Sequence, residues 1–192
     1  MSYRFDYRSK NQFAKDIKQS SQCEAEIAVR LCIAIHAKTK QWPQLIPTGV
    51  DATGEFIAKE SKITSFPDYS IDGKLTEIIR ADVVCKRSFH QKVNKVTKAI
   101  SEGYDTIFVN GFREEKQPKY IWFTPEMLEE FTQRAISKHG TVLHPGGKGV
   151  GALGKTAYRY DCFWFEKIWR PLPVLIDNVP DEYKKIINAA KV

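Results

Sequence analysis

The sequence predicts an α/β (α+β) fold in which helices flank a central mixed sheet, and three observations lead there. Apolar stripes of helical period alternate along the chain with short β-branched and aromatic runs. Two such runs flank Asp72-Gly73, a preferred hairpin turn. The resulting order of helix, hairpin, helix and strand calls for helices layered on a sheet. With 192 residues and 42% apolar content, the chain can close one ordinary core but not two independent domains. A single domain over 1–192 is therefore expected. Its first half, 21–111, would hold the core elements, and 112–192 would complete the fold with strands, a glycine-rich loop and helices.

The first helix is expected after Ser21-Gln22-Cys23-Glu24, whose Ser-x-x-Glu form is that of a capping box. It should run to about Lys38, with Ala28, Leu31, Cys32 and Ile35 on one apolar stripe. Residues 41–61 contain two prolines and two glycines and read as an irregular connection with one short strand. The hairpin arms are expected at 62–71 and 74–86. Ser88 and Gln91 form a second capping box, predicting a helix from Phe89 to Glu102 that Gly103 ends. Asp105 to Val109 suits a buried strand, and Tyr120 to Phe123 another. Thr124-Pro125-Glu126 supplies an N-cap, a first-turn proline and an acidic first turn for a helix ending near His139-Gly140. An aromatic strand at 158–169, a proline-bounded strand at 172–176 and a helix after Pro180 complete the reading.

Composition narrows the function. No apolar run approaches the ~20 residues of a membrane helix, and MSYRFDYRSK has no signal-peptide character, so a cytoplasmic protein without membrane association is expected. Cys23, Cys32, Cys85 and Cys162 are scattered with no C-x-x-C pair, which argues against structural zinc or a disulfide framework. Thirty Lys and Arg against 23 Asp and Glu leave a net charge of +7, so nucleic acid is the first partner to consider.

The chemistry centres on the hairpin. Counting outward from Asp72-Gly73 places Asp68 opposite Glu77 on one face of the sheet, about 5 Å apart at Cβ. Like charges so placed repel, and a divalent cation is a reason to keep them, since Mg²⁺ takes one or two carboxylates together with waters and phosphate oxygens. Asp82 is a rival second acid, though strand alternation turns it to the opposite face.

Pro67-Asp68, Ile71-Asp72-Gly73 and Thr76-Glu77 together resemble the PD-(D/E)XK nuclease superfamily, whose core shares the element order read here over 21–111. The resemblance implies a restriction-endonuclease-like fold and hydrolysis of phosphodiester bonds by a divalent-metal-dependent endonuclease of restriction, phage or repair type. It favours DNA over RNA as substrate and leaves a homodimer open. It further implies that Asp68, Glu77, the Ile78 carbonyl and Glu24 bind Mg²⁺ or Mn²⁺. The family's lysine position, two residues after the Glu, is Ile79 in this chain. Cap-snatching viral endonucleases, which look similar through this stretch, carry the lysine on the following helix, where Lys92 lies beside the expected apolar stripe. Lys92 is thus the expected catalytic lysine, with Lys86 its rival. The alternative is a nucleic-acid-binding protein with a degenerate nuclease fold and no catalysis.

Lys86, Arg87, His90, Lys92, Lys95 and Lys98, then Arg113, Lys116 and Lys119, put basic charge beside this region. Lys86, Arg87, Lys95, Lys148 and Lys155 are the expected phosphate contacts. His36 and His90 have no partner at metal-ligand spacing. Residues 149–156 match the G-x-x-x-x-G-K-[ST] phosphate-loop pattern. A β-prone segment follows where that motif needs a helix, so a basic surface loop is the preferred reading.

Overall fold

Asp72 and Gly73 have φ of 49° and 79°, the left-handed pair that a tight hairpin of native twist requires. The computed structural model of the chain describes residues 10–49, 66–144 and 156–190. Across the turn it pairs Ile71 with Lys74, Ser70 with Leu75 and Tyr69 with Thr76, the register counted from the sequence. These residues form β2 (Tyr69–Ile71) and β3 (Lys74–Ala81). On the outer side of β2 lies β1 (Leu45–Pro47), antiparallel to it. On the inner side, β3 runs parallel to β5 (Asp105–Asn110), which pairs antiparallel with β6 (Lys119–Phe123), and that with the short β9 (Arg170–Pro171). The result is a six-stranded mixed sheet of order β1-β2-β3-β5-β6-β9.

A parallel pair needs a long crossover, and the β3–β5 crossover holds both β4 (Ser88–Lys92) and helix α2 (Val93–Glu102). β4 belongs to a second, antiparallel sheet of order β4-β8-β7, with β8 at Thr156–Asp161 and β7 at Val142–Leu143. The described residues contain three further helices: α1 (Lys10–Thr39), α3 (Pro125–His139) and α4 (Asp181–Ala189).

Alternation along the central strands feeds two cores. Ile78, Ile107 and Val109 pack with Leu31 and Cys32 of α1 and Tyr183 of α4 on one face. Phe108, Ile121 and Phe123 pack on the other with α2, α3 and the second sheet, where Phe89 stacks on Phe108 at 4.0 Å between ring centroids. Gly103 ends α2 in the left-handed conformation, and the Thr124 hydroxyl caps α3 by accepting from the Met127 N–H at 3.3 Å. An α+β architecture is thus the observed class.

Several local expectations yield to tertiary context. α1 starts before Ser21, because the residues from Lys10 onward include no Gly or Pro to stop a helix; Ser21 lies buried in its middle. The second capping box opens no helix. Phe89 gains more by entering the aromatic core from a strand, so residues 88–92 pair with β8 and the helix begins at Val93. The hairpin arms are shorter than expected: 66–68 and 82–86 are outside strands, and 62–65 lie outside the described residues. The aromatic stretch leaves the sheet after Asp161 in a 3₁₀ turn over Cys162–Phe165. No strand forms at 172–176, where Pro171 and Pro173 remove ladder donors; the Leu172 N–H donates to the Pro118 carbonyl instead.

Candidate active site

The β2–β3 ladder ends at Tyr69–Thr76, and the next outward-facing N–H of β3, that of Ile78, donates to Asp68 Oδ2 at 2.7 Å. A side chain thereby replaces the backbone of the departed strand. Within a strand the N–H and C=O of one residue point to the same edge, so the Ile78 carbonyl also faces the Asp68 side. The Asp68 backbone is held as well, its carbonyl accepting from the N–H groups of Thr48 and Gly49 at 3.0 and 3.1 Å. A Cβ at Gly49 would stand 3.2 Å from the Asp68 Cα, so glycine permits this close approach.

Glu77 follows Thr76, the last residue paired across the hairpin, and its charge acts on Asp68. Its side chain is only 7% exposed, and it accepts a hydrogen bond and ion pair from the Lys95 ammonium, from the first turn of α2. From α1, Glu24 completes the group: the Ser20 hydroxyl donates to its carboxylate at 2.7 Å, and Arg80 reaches the same serine at 3.4 Å.

Burial dominates the electrostatics, and charge crowding adds to it. Burial, then the charges of Glu77 and Glu24, push the Asp68 carboxyl well above its ordinary range. Burial also raises Glu24, against the Ser20 hydrogen bond and the charges of Lys95 and Arg80. Lys95 is desolvated, but Glu77, Asp68 and Glu24 hold its proton more tightly than usual. Tyr104, buried behind the acids, has its hydroxyl proton retained by burial and by Glu77.

A cleft of about 630 Å³ opens beside this group, lined by Glu24, Arg80, His90, Lys92, Lys95 and His144 among others. Gln91 also lines it, 1% exposed, with neither atom of its carboxamide bonded to a protein group.

Most of the expected site residues come together: Asp68, Glu77, Ile78 and Glu24 share one corner of the sheet. The expected lysine is displaced. Lys92 ends β4 instead of riding on a helix, and it lines the cleft, whereas Lys95 makes the contact with Glu77. The sequence signal for Lys95 is the same as for Lys92, a lysine following the hairpin on the next helix, but with that helix expected from Phe89 the spacing favours the lysine three residues upstream. Ile79 packs against the aromatic core, so the position two residues after Glu77 is spent on packing. Asp82 is engaged elsewhere, with Arg80 at 3.0 Å and Arg113 at 3.6 Å. Lys86 and Arg87 are exposed in the connection before β4; Lys148 and Lys155 lie outside the described residues. So does most of the phosphate-loop match, but Thr156 begins β8 rather than a helix.

Among the described residues no three His, Cys, Asp or Glu side chains converge tightly enough to cage an ion. The donor set fits an open site of the kind Mg²⁺ uses, in which two carboxylates suffice and other positions go to water and phosphate. The raised Asp68 carboxyl marks a place where added positive charge is favoured. No described helix is long and apolar enough to cross a membrane. Comparison with protein-family models, curated proteins and solved structures finds no match for the chain.

Proposed function

We propose that the protein is a divalent-metal-dependent endonuclease of the PD-(D/E)XK kind that hydrolyses phosphodiester bonds in nucleic acid, with DNA the first substrate to test. The observation that carries this reading is the meeting of Asp68, Glu77 and Lys95 where β2 leaves β3: two acids and a lysine at the corner of a mixed sheet, beside a cleft rich in cationic groups.

Asp68 and Glu77 are the residues that would hold Mg²⁺ or Mn²⁺, with the Ile78 carbonyl and Glu24 at the same edge. The bound ion would supply water activation and neutralise charge on the phosphate. Lys95 has the role for which Lys92 was expected. Its ammonium, kept protonated by the acids, orients toward Glu77 and offers a fixed positive charge to the scissile phosphate. Ser20 and Arg80 hold Glu24 in place, and the Asp68–Ile78 hydrogen bond fixes the first carboxylate.

The test is incubation with supercoiled plasmid, single-stranded DNA and structured RNA in Mg²⁺, Mn²⁺ or EDTA. Cleavage that needs metal and falls on the order of 10²-fold or more in Asp68→Asn and in Lys95→Ala is the expected result. Lys92→Ala should lose far less. The occupation of the usual lysine position by Ile79 favours a second reading, binding without cleavage, and salt-sensitive binding with no product in any metal would select it.

A further inference from the structure

The second sheet places its own like charges together. His90 of β4 and Arg159 of β8 are direct cross-strand partners, a pairing that disfavours two cations. The nearby acid, Asp161, is already shared by Lys138 at 2.7 Å, His139 at 3.1 Å and Arg159 Nε at 3.5 Å. Positive charge is therefore in surplus. The groups facing His90 are Arg159 from β8, His144 just after β7 and His139 from the end of α3; burial first, then these three, hold the His90 imidazole below its ordinary range. His90 and His144 line the same cleft as Glu24 and Lys95. The Arg159 side chain is 42% exposed.

We propose that His90, Arg159 and His144 form a phosphate-binding subsite, which holds the strand through a backbone phosphate flanking the one at the acid corner. The proposal rests on the nucleic-acid reading above and names residues that the reading did not use. A phosphate dianion or diester is the ligand such a group selects: the guanidinium presents forked donors, and imidazoles become donors at both nitrogens once protonated. Histidine in place of lysine has a consequence. His90 is neutral in the free protein near pH 7 and gains a proton when phosphate offsets the repulsion from Arg159. Binding therefore takes up protons, and affinity rises as pH falls through the histidine range.

The experiment titrates the full chain with a fluorescent single-stranded DNA oligonucleotide in EDTA, where metal-dependent cleavage is prevented, from pH 5.5 to 8. Affinity should increase toward acid pH. His90→Gln and Arg159→Gln should each weaken binding at pH 6 by about three- to tenfold, lower the salt slope by about one phosphate and flatten the pH profile. In the free protein, Arg159→Gln should raise the His90 titration midpoint seen by NMR, since a neighbouring cation is gone. Variants that bind like wild type at pH 6 with the same salt slope overturn the subsite. Inorganic phosphate forms a separate arm: if it shifts the His90 resonances at millimolar concentration while the oligonucleotide neither binds nor shifts them, the site takes free phosphate and the proposal fails. Cleavage by the wild type in Mg²⁺ or Mn²⁺, assayed beside the binding titrations, separates the two readings. A wild type that cleaves nothing, but binds with the expected His90 and pH dependence, retains the subsite and loses the nuclease; a wild type that cleaves, with both variants binding normally, does the reverse.

Discussion

The corner where β2 leaves β3 and the face shared by β4 and β8 carry opposite electrostatic conflicts. At the corner, three carboxylates crowd around one lysine, and burial keeps two of them above their usual range. On the β4–β8 face, two basic side chains oppose one another and a single buried acid answers several cations. On the proposed function, a ligand of the opposite sign would be favoured at each. A phosphate diester with a divalent cation on one of its oxygens carries both signs. On the proposed function, one composite ligand would lie along the cleft that Glu24, Lys95, His90 and His144 line.

The largest expected effect comes from relieving the acid corner. At Mg²⁺ or Mn²⁺ a hundredfold above its dissociation constant, mass action adds about 2.7 kcal/mol to the folded state. Asp68→Asn should abolish that gain, and thermal unfolding with and without metal measures it. The sign of its pH dependence follows from the raised carboxyls. Asp68 and Glu24 hold protons more tightly folded than unfolded, so their contribution is present below the ordinary carboxylate range and is lost as pH rises through their raised values. Metal stabilisation should therefore grow from pH 5 to pH 8, because the ion competes with those protons. A shift that persists in Asp68→Asn would move the cation elsewhere and break the comparison.

A smaller effect comes from removing the cation that contacts Glu77. Lys95→Ala leaves Glu77, almost fully buried, without its partner. The lysine side chain is 40% exposed, so the full penalty of a buried pair does not apply, and about 1–2 kcal/mol is expected at pH 7. The loss should shrink toward acid pH as Asp68 and Glu24, both raised, take up protons and no longer attract the lysine. Adding Asp68→Asn should recover part of it, and a double-mutant cycle by urea unfolding measures that coupling. Arg159→Gln, on the β4–β8 face, should change stability little, since the side chain is 42% exposed and the Asp161 carboxylate it leaves, 3.5 Å away, keeps Lys138 as a partner. Equal losses in the two variants would erase the contrast between the regions.

How far the sequence disclosed this follows from the range of the forces involved. The hairpin was legible because its determinants are local: Asp72 and Gly73 adopt the turn themselves, and register then propagates two residues at a time to Asp68 and Glu77. Helices α3 and α4 were legible for the same reason, through Pro125 and Pro180. The segment 88–92 was not. Its capping-box pattern is genuine, but Phe89 joins the rings of Phe108, Tyr160 and Phe165, which come from three other segments and which no local pattern names. The helix therefore starts four residues later than expected, at Val93, which leaves Lys92 on β4 and puts Lys95 in the first turn of α2. Glu24 was singled out for the site, yet its expected role as a cap disappeared once α1 continued through it. The pairing of His90 with Arg159 spans 69 positions of sequence, so no spacing rule could reveal it.

The smallest effect tests whether the acid corner depends on the turn that sets its register. Gly73 has φ of 79° and nothing within 4 Å of where a Cβ would stand, so Gly73→Ala meets only backbone strain, about 1 kcal/mol. Asp72, also at positive φ, accepts a hydrogen bond from the Gln44 N–H at 2.7 Å, which ties the turn to the segment before β1. That tie limits how far the strained turn can drift. Asp68 should therefore remain near Glu77, and the variant should unfold a few degrees earlier while keeping its metal-dependent shift and its cleavage rate at 25 °C. If the metal response falls in step with stability, the corner is held by the turn alone, and the Asp68–Ile78 and Asp68–Gly49 hydrogen bonds contribute little to its geometry. If stability falls and the metal response is unchanged, those bonds are what keep the two carboxylates together.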